Sequence, residues 1–431
     1  MKRLIIKILH LLTRKVIKKY NPKVVAITGS VGKTAAKEAV FCVLSKKLKA
    51  RRNVGNYNTE IGLPLTILGV ENAPGKNPFA WIGIFMRALG LIMSKHEYPQ
   101  VLVLEMGADK PGDIEELLKI VTPTVGVITA ISATHTETFK SVAGVAREKG
   151  KVFRSVPKDG WIIANHDDPE VAKLAQTSQA QKIFYGTKQS DEVGICASEI
   201  AVSMSSSNKT GIAGISFKIH TNGTVTPIIL KDVLGEHQIY PALAAASVAQ
   251  ALGLHMVDVA EGLQELVPQP GRMRVLGGVK HTVIIDDTYN SSPMAVQRAI
   301  EALVSVKDNG KTFAVLGDML ELGSLSEDEH RKIGRFALKA GIDVLITVGE
   351  RARDIARGAR KVGMSQDSIF EFDTTDDAGR FVQRRMEEGD IVLVKGSQGI
   401  RMERVVKEIM AQPQKANKLL ARQSEDWLKR K

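Results

Sequence analysis

The stretch "VVAITGSVGKTAAKEAV", Val24 to Val40, decides the fold. Its first part, Val24 to Thr28, is rich in β-branched and small apolar residues, which predicts a buried strand. The apolar spacing from Ala35 to Leu44 is that of a helix. The turn between them consists of Gly29, Ser30, Val31, Gly32, Lys33 and Thr34. Because a glycine-rich turn before a helix directs backbone N–H groups at an anion, the segment predicts a phosphate-binding loop in an α/β fold.

The last two residues of this loop carry its chemistry. Lys33 can reach terminal phosphates, and the Thr34 hydroxyl can hold Mg²⁺. The full motif has a glycine six residues before the lysine, where this chain has Ile27, so the loop is a shortened version. An ordinary glycine-rich turn is the alternative, but it leaves the Lys-Thr pair unexplained. We interpret the loop as a nucleoside triphosphate site.

Length and composition indicate a globular protein of two or three domains. The chain has 431 residues, of which 44% are hydrophobic, enough for substantial cores. Its two cysteines, Cys42 and Cys196, are too far apart for a metal-binding or redox motif. They are interpreted as core residues of a protein from a reducing, cytoplasmic compartment.

The positive charge is concentrated at the two ends of the chain. The net charge is +13; residues 1–23 contain eight Lys or Arg and no acid, and residues 412–431 contain six against two acids. The ends therefore carry +12, and the body is nearly neutral. A nucleic-acid enzyme would carry basic charge on its body, so no nucleic-acid partner is expected.

The N-terminal segment, residues 1–22, predicts a basic amphipathic helix. Its apolar residues recur at helical spacing, with basic residues on another face. Such a helix can lie on an anionic membrane surface, or it can pack on the first domain with its basic face in water; the sequence leaves both open. A second apolar run, residues 77–93, is interrupted by Arg87 and is short for a membrane span, so a core or interfacial helix is expected.

The rest of the chain alternates strand-like and helical segments, which predicts parallel sheets. Alternating, Thr/Ser-rich segments at 193–233 predict a small antiparallel sheet. The Pro- and Gly-rich residues 267–273 suggest a boundary, after which the α/β alternation resumes in a Rossmann-like unit. The expected domains are the central ATPase-like domain at 23–268, the C-terminal domain at 269–411 and a basic tail at 412–431.

Polar residues follow several of the predicted strands, where open α/β sheets build their sites. They are Glu105, His135, Asn165, Asp286, Asp287, Asp318 and Lys395. Glu105 and His135 are plausible Mg²⁺ ligands, although a helix cap and a loop histidine explain them equally well when taken singly. Lys149 lies in a predicted helix, where a solvated surface lysine is the commoner case.

The order of motifs along the chain resembles the Mur ligases over about residues 23–410. The motifs that carry the resemblance are "TGSVGKT", "NTEIGLPLTIL", "LEMGADKPGDI", "THTETFKSVAGVAREKGKVF", "ANHDD", "PGRM", "IIDDTYNSSP", "VLGDMLELG" and "LVKGS". The segments "DDTYN" and "GDMLELG" are typical of the branch that adds D-alanyl-D-alanine to a UDP-muramyl tripeptide. The resemblance implies an ADP-forming peptide ligase of peptidoglycan precursor synthesis, which acts through an acyl phosphate. The implied cofactors are ATP and Mg²⁺.

The same resemblance assigns roles to individual residues. Lys33 and the loop amides would hold the β- and γ-phosphates. Mg²⁺ would be held by Thr34 and Glu105, and a second ion by His135. Lys149 matches a lysine that is carbamylated in the family and then serves a metal, which reverses the surface interpretation. Asn165 would approach the adenine, Arg272 a phosphate and Asp287 the ribose.

Several departures from the family pattern concern the substrate side. The loop begins at residue 29, so the family's N-terminal UDP-binding domain is expected to be absent. Gln238 and Pro241 stand where asparagines are usual, and Ser291 and Ser292 replace Ala-Asn. The alternatives are therefore a Mur-type ligase with a different, membrane-associated acid acceptor, or a non-catalytic ATP-binding scaffold. The expected location is cytoplasmic, with peripheral contact at the inner membrane face through the N-terminal helix.

Overall fold

The computed structural model describes residues 2–55, 57–71, 75, 77–132, 136–204 and 210–429. The strands in these ranges are β1 (Lys23–Thr28), β2 (Ala50–Arg52), β3 (Val101–Glu105), β4 (Val125–Ile128), β5 (Trp161–Asn165), β6 (Gln181–Gly186), β7 (Val193–Met204), β8 (Ile212–Thr221), β9 (Thr224–Lys231), β10 (Arg274–Gly277), β11 (Val283–Asp287), β12 (Thr312–Gly317), β13 (Val344–Val348), β14 (Ile369–Phe372) and β15 (Ile391–Lys395). The helices are α1 (Lys2–Tyr20), α2 (Lys33–Leu44), α3 (Gly62–Leu68), α4 (Pro78–Met93), α5 (Asp113–Leu118), α6 (Thr136–Phe139), α7 (Val142–Lys149), α8 (Lys151–Ser155), α9 (Pro169–Gln176), α10 (Ile239–Ala251), α11 (Met256–Gln264), α12 (Pro293–Ser305), α13 (Ser326–Ala340), α14 (Arg353–Lys361), α15 (Thr375–Arg385), α16 (Glu403–Ile409), α17 (Ala416–Leu419) and α18 (Glu425–Leu428).

The chain forms two compact units. The first comprises residues 1–199, 217–228 and 239–266, and the second comprises 200–216, 229–238 and 267–431. The expected mixed α/β fold with a large parallel-dominated sheet is confirmed. The exact domain boundaries given above stay a prediction.

The first unit is built on parallel strands in the order β2-β3-β1-β4-β5-β6, with β7 pairing in parallel beside β6. Buried β-branched and aliphatic side chains of these strands pack against α5, α7, α8 and α9. Strands β1 and β3 are buried over almost their whole length, as expected for parallel strands covered on both faces. The carboxyl ends of β1, β3, β4 and β5 therefore share one edge of the sheet, where the phosphate-binding loop follows β1.

The expected antiparallel strands lie at the far end of this sheet, which continues in the order β7-β8-β9. Between β8 and β9, Asn222 and Gly223 both have positive φ angles, 45° and 76°. Two adjacent residues with φ above zero form the tight turn that suits the twist of a β-hairpin. The strands thus extend the large sheet instead of forming a separate one.

The N-terminal helix α1 packs on α3 and α4. Its residues Leu9, Leu12 and Val16 are buried in a cluster with aliphatic side chains of those two helices. Packing against α3 and α4 therefore buries part of the apolar face of α1, which is one of the two interpretations that the sequence leaves open. In the described residues no helix is long and apolar enough to cross a membrane.

The second unit contains a six-stranded sheet in the order β10-β11-β15-β12-β13-β14. Only the β10–β11 pair is antiparallel; β11, β15, β12, β13 and β14 pair in parallel. This parallel order with flanking helices is the Rossmann-like arrangement that the sequence predicts.

Candidate active site

The phosphate-binding loop connects β1 to α2 and requires glycine at two positions. Gly29 has φ of 152°, and a Cβ there would lie 2.1 Å from the Thr129 side-chain oxygen. Gly32 is the residue before α2 and has a left-handed φ of 82°. Both positions are sterically closed or strained for other residues. The loop can therefore adopt its close-wrapped path only with glycines at these two places.

Hydrogen bonds fix the loop to the segment that follows β4. The Ser30 N–H donates to the Ala130 carbonyl over 2.7 Å. The Ser30 hydroxyl donates to the Ser132 carbonyl and accepts from the Ser132 N–H. The Thr129 hydroxyl donates to the Val31 carbonyl over 2.5 Å. The loop is thus preorganised by its neighbour, which lowers the entropy lost when it binds an anion.

Lys33 and Thr34 occupy the first turn of α2. The Lys33 ammonium donates to the carbonyls of Gly29 (2.8 Å) and Ser30 (3.3 Å), so it lies across the loop. Thr34 is half-buried beside it. The amine and the hydroxyl are placed where a triphosphate bound in the loop would meet them.

Glu105 ends β3, beside β1, with its Cα in register with that of Ile27. Its side chain is only 4% exposed. Among the residues that the structure describes, the carboxylate accepts one hydrogen bond, from the Asn58 amide at 3.3 Å, and its Oε2 atom has no hydrogen-bond partner. A buried carboxylate oxygen without a donor is costly unless a cation or ligand completes it. The Lys37 ammonium lies 3.8 Å from this oxygen, beyond hydrogen-bond distance, so the oxygen can still take a further cation, as the predicted Mg²⁺ ligand requires.

Two further side chains hold Glu105 in place, and the sequence analysis did not identify them. Asn53, fully buried, accepts from the Glu105 N–H (2.9 Å) and donates to the Glu105 carbonyl (3.1 Å). Lys37, 1% exposed, has its Nζ 3.8 Å from Glu105 Oε2 and 3.2 Å from Glu38. The asparagine-rich run "NVGNYN" between β2 and α3 is the one sequence feature that could have flagged Asn53. Lys37 gives no such signal, because four residues after Lys33 it resembles a solvated helix lysine.

Lys149 is the last residue of α7 and is 2% exposed, so the surface interpretation from spacing alone is wrong. Burial, and after it the charge of Lys33, lower the pKa of its amine from 10.5 to about 7. Glu148, Asp109 and Glu105 act in the opposite direction. Because Lys33 and Glu105 both act on this amine, the three groups share one electrostatic neighbourhood. At neutral pH a large fraction of the amine is uncharged and nucleophilic.

Asn165, at the end of β5, is buried, and its side-chain amide is hydrogen-bonded to neighbouring backbone. Its amide donates to the Thr129 carbonyl over 3.0 Å, and its Oδ1 accepts from the Asp167 N–H. It thereby ties β5 to the residue that supports the phosphate-binding loop. His135 lies outside the described residues. Elsewhere in the described chain, His, Cys, Asp and Glu side chains do not gather in groups of three or more that could hold a metal.

Arg272 and Asp287 come together in the second unit. The Asp287 carboxylate accepts hydrogen bonds from the Lys395 ammonium at 2.6 Å and from the Met273 N–H at 3.2 Å. The Arg272 guanidinium lies 4.2 Å from the centre of the Tyr289 ring. The end of β11 therefore carries a carboxylate that is held in place, and the segment just before β10 carries a guanidinium that stacks on Tyr289.

The other strand-end carboxylates of the second unit serve its local structure. Asp286 is fully buried and accepts from Gly271 N–H and from Thr288, and burial raises its pKa to about 6. Asp318 accepts from the Ala352 N–H at 2.7 Å, and burial also raises its pKa. Both carboxylates thus hold neighbouring backbone segments against the ends of their strands.

The described part of the predicted basic tail at 412–431, up to residue 429, is folded within the second unit. Arg422 donates to the carbonyls of Thr288 and Tyr289 and to the buried Glu403 carboxylate at 3.0 Å. Its side chain is only 4% exposed. The segment therefore supports the loop that carries Asp287 and Tyr289.

Comparison with known proteins places this fold and these motifs in a family. The Mur ligase middle domain matches residues 27–249, and the Mur ligase, glutamate ligase domain matches residues 271–398. This chain belongs to the Mur ligases. The expectation from the motif order is thereby confirmed.

Individual relatives are 26–29% identical to this Mur ligase over the residues that align. The UDP-N-acetylmuramoyl-tripeptide--D-alanyl-D-alanine ligase of Bacillus subtilis is 29% identical over 405 residues, 94% of this chain and 79% of the relative. The crystal structure of MurF from Acinetobacter baumannii superposes with a TM-score of 0.74 at 26% identity, covering 92% of this chain and 79% of that one. The MurF ligase of Thermotoga maritima in complex with ADP gives 0.74 at 26%, covering 94% and 83%. Several relatives are thus ligases of one type, and one of them was solved with ADP.

Proposed function

We propose that this Mur ligase is an ADP-forming enzyme that joins D-alanyl-D-alanine to a UDP-muramyl tripeptide for peptidoglycan synthesis. The observation that carries the proposal is the edge of the first sheet, where the preorganised loop, Lys33, Glu105 and the buried amine of Lys149 share one neighbourhood. The printed names of the relatives supply the substrates.

The reaction has two steps, phosphoryl transfer and amide formation. The substrate carboxylate attacks the γ-phosphorus of ATP, ADP leaves, and an acyl phosphate forms. The amine of D-alanyl-D-alanine then attacks the carbonyl carbon, and loss of phosphate and a proton leaves an amide. Lys33 and the N–H groups of the loop at Gly29–Thr34 would hold the β- and γ-phosphates, where charge develops during transfer.

Thr34 and Glu105 fit Mg²⁺, because a hydroxyl and a carboxylate are hard oxygen ligands and Glu105 Oε2 has an open valence. Mg²⁺ commonly takes few protein ligands and completes its shell with phosphates and water. It would supply charge neutralisation at the phosphates. A second ion is proposed for His135.

Lys149 is proposed to react with CO₂, as the family resemblance implies. The neutral amine forms an N–C bond to CO₂ and releases a proton, which leaves a carbamate anion. Its low pKa and its burial supply the neutral amine and a protected site. The carbamate would add an anionic metal ligand beside Glu105.

We propose that the nucleotide contacts Asn165, Arg272 and Asp287. The side chains of Asn165 and Asp287 already have protein partners, and Arg272 stacks on Tyr289. Any nucleotide contact would therefore use groups held in place beforehand, which favours binding.

We propose a cytoplasmic enzyme with peripheral contact at the inner membrane face. The support is electrostatic: residues 1–23 contain eight Lys or Arg and no acid. The charge alone predicts attraction to anionic lipid.

The proposed reaction is tested by mass spectrometry of products from ATP, D-alanyl-D-alanine and UDP-muramyl tripeptide. We expect the pentapeptide product with wild type and none with Lys33→Ala. Product formed only from a tripeptide without UDP would point to a different acceptor. If no product forms although ATP binds, another acid acceptor or a scaffold role replaces the proposal.

A further inference from the structure

Helix α4 is apolar on the side that faces solvent as well as on the side that faces the protein. Ile84, Ala88 and Leu91 are buried against α1 and α3. On the opposite face Phe79 is 80% exposed, Ile82 57%, Met86 62%, Leu89 39% and Met93 83%. We call these five residues the α4 stripe. A helix that is apolar all round belongs in a core or a membrane, so this exposed stripe requires an occupant.

The α4 stripe is continuous and uncharged. Its members recur at three- and four-residue intervals over four turns, a length of roughly 21 Å. Gly83 and Gly90 lie between them on the same face. The single charged residue of the helix, Arg87, lies at the border of the stripe and donates from Nε to the Leu68 carbonyl at 2.7 Å. The stripe therefore presents aliphatic, aromatic and thioether surface without a polar break.

Helix α1 brings positive charge to the C-terminal end of α4. The Lys19 ammonium donates to the carbonyls of Leu91 and Ile92 at the end of α4, so this side of α1 adjoins α4. Ile8 is three turns before Lys19 and projects on the same side; it is 39% exposed. Lys15 and Lys18 are exposed on the outer side of α1. Positive charge therefore lies at the end of α4 that carries Met93, the last residue of the stripe.

The charge around the α4 stripe decides which partner fits it. Residues 1–23 and 77–96 contain no acidic residue, and the first acid after α4 is Glu97. A second copy of the chain would bring the same positive charge against itself. An anionic lipid surface matches both the apolar stripe and the positive charge, because acyl chains cover apolar side chains while head groups attract Lys and Arg.

We infer that α4 lies in the plane of an anionic membrane interface, with the α4 stripe among the acyl chains and the basic residues of α1 at the head groups. This inference rests on the proposed peripheral location and refines it: the buried face of α1 is used up in packing, so α4 supplies the apolar contact. It does not depend on the ligase reaction. Helix α4 has 16 residues and lies on the membrane without crossing it.

The test is co-sedimentation of the full chain with vesicles of phosphatidylcholine containing 30% phosphatidylglycerol, and with pure phosphatidylcholine. Ile82→Ser/Met86→Ser removes the centre of the stripe and should weaken binding to the anionic vesicles at least tenfold. Lys15→Gln/Lys18→Gln should weaken it roughly 25-fold, about fivefold for each charge near an anionic surface. The matched control Val257→Ser/Met294→Ser changes residues that are 66% and 56% exposed elsewhere and should bind like wild type.

Two results would overturn the inference. In the first, the lysine variant loses binding while the stripe variant keeps it, so that attraction is electrostatic and α4 stays in water. In the second, the chain ignores vesicles and forms a dimer by light scattering that Ile82→Ser/Met86→Ser dissociates, so that a second copy covers the stripe. Ligation measured on the same variants in solution should be unchanged, which separates a failure here from a failure of the proposed reaction.

Discussion

Replacing Asn53 by alanine tests whether the backbone of Glu105 is clamped for metal binding. Asn53 is fully buried, and its side chain makes three hydrogen bonds. The Oδ1 atom accepts from the Glu105 N–H, and Nδ2 donates to the carbonyls of Glu105 and Tyr57, each at 3.1 Å. Alanine removes all three and leaves the Glu105 N–H buried without this acceptor.

The magnitude follows from these bonds. A buried hydrogen bond contributes roughly 1 kcal/mol net, so Asn53→Ala should lower the free energy of unfolding by about 3 kcal/mol. Asn309→Ala, at an exposed turn, should change it by less than about 0.5 kcal/mol. A complementary change, Asn58→Ala, removes only the half-buried 3.3 Å bond to the Glu105 carboxylate. It should leave stability nearly intact.

Urea unfolding measures the free energy of unfolding of each variant, and ligation rates at increasing Mg²⁺ measure the concentration of Mg²⁺ that each variant needs. We expect Asn53→Ala to be destabilised and Asn58→Ala to need several-fold more Mg²⁺ at near wild-type stability. The reasoning is refuted if Asn53→Ala unfolds within 0.5 kcal/mol of wild type. It is also refuted in its functional part if both variants need no more Mg²⁺ than wild type.

Three other substitutions test separate parts of the structure. Lys149→Met removes an amine whose pKa falls from 10.5 to about 7 in the fold, so the cost of its charge is full below pH 7 and vanishes toward pH 10.5. In metal-free, CO₂-free buffer the variant should therefore gain roughly 3 kcal/mol more stability at pH 6 than at pH 9, measured by urea unfolding against Lys158→Met. Gly29→Ala drives a Cβ into the Thr129 side chain and should weaken ATP binding at least tenfold by fluorescence titration, whereas Gly277→Ala, with open space around it, should not. Arg422→Met removes the hydrogen bond to the Tyr289 carbonyl and leaves the buried Glu403 carboxylate with one partner fewer. We expect the KM for ATP to rise more than kcat falls. Unchanged kinetics with a lowered Tm would show that Arg422 has a structural role alone.

The sequence predicts best where chemistry needs a local pattern. The strand, glycine-rich turn and helix around Gly29 are contiguous, so periodicity and turn chemistry suffice to place Lys33 and Thr34. The same holds for Glu105, because the carboxyl ends of parallel strands meet at one edge. These predictions depend only on residues within one βα unit or on sheet direction.

The sequence fails where burial is decided by distant segments. Lys149 has the helical spacing of a surface residue, yet packing buries it to 2% exposure, and only the family resemblance pointed the other way. Asn53 acts on a residue 52 positions away, and Arg422 acts on carbonyls more than 130 positions away. Such pairs leave no trace in local periodicity, because a single polar residue in a loop is compatible with water as well as with a buried partner.

The charges of Lys37, Lys33 and Lys149 around Glu105 form one electrostatic group. Lys37 is buried, lies between Glu38 and Glu105, and keeps the Glu105 carboxylate compatible with burial without donating a hydrogen bond to it. The Lys33 charge acts on Lys149 and helps to hold that amine near neutrality. A neutral amine is the form that reacts with CO₂, and the resulting anion would be attracted by the Lys33 charge. The lysine of the phosphate-binding loop thus has two electrostatic consequences: attraction of a triphosphate, and a Lys149 amine in its reactive form.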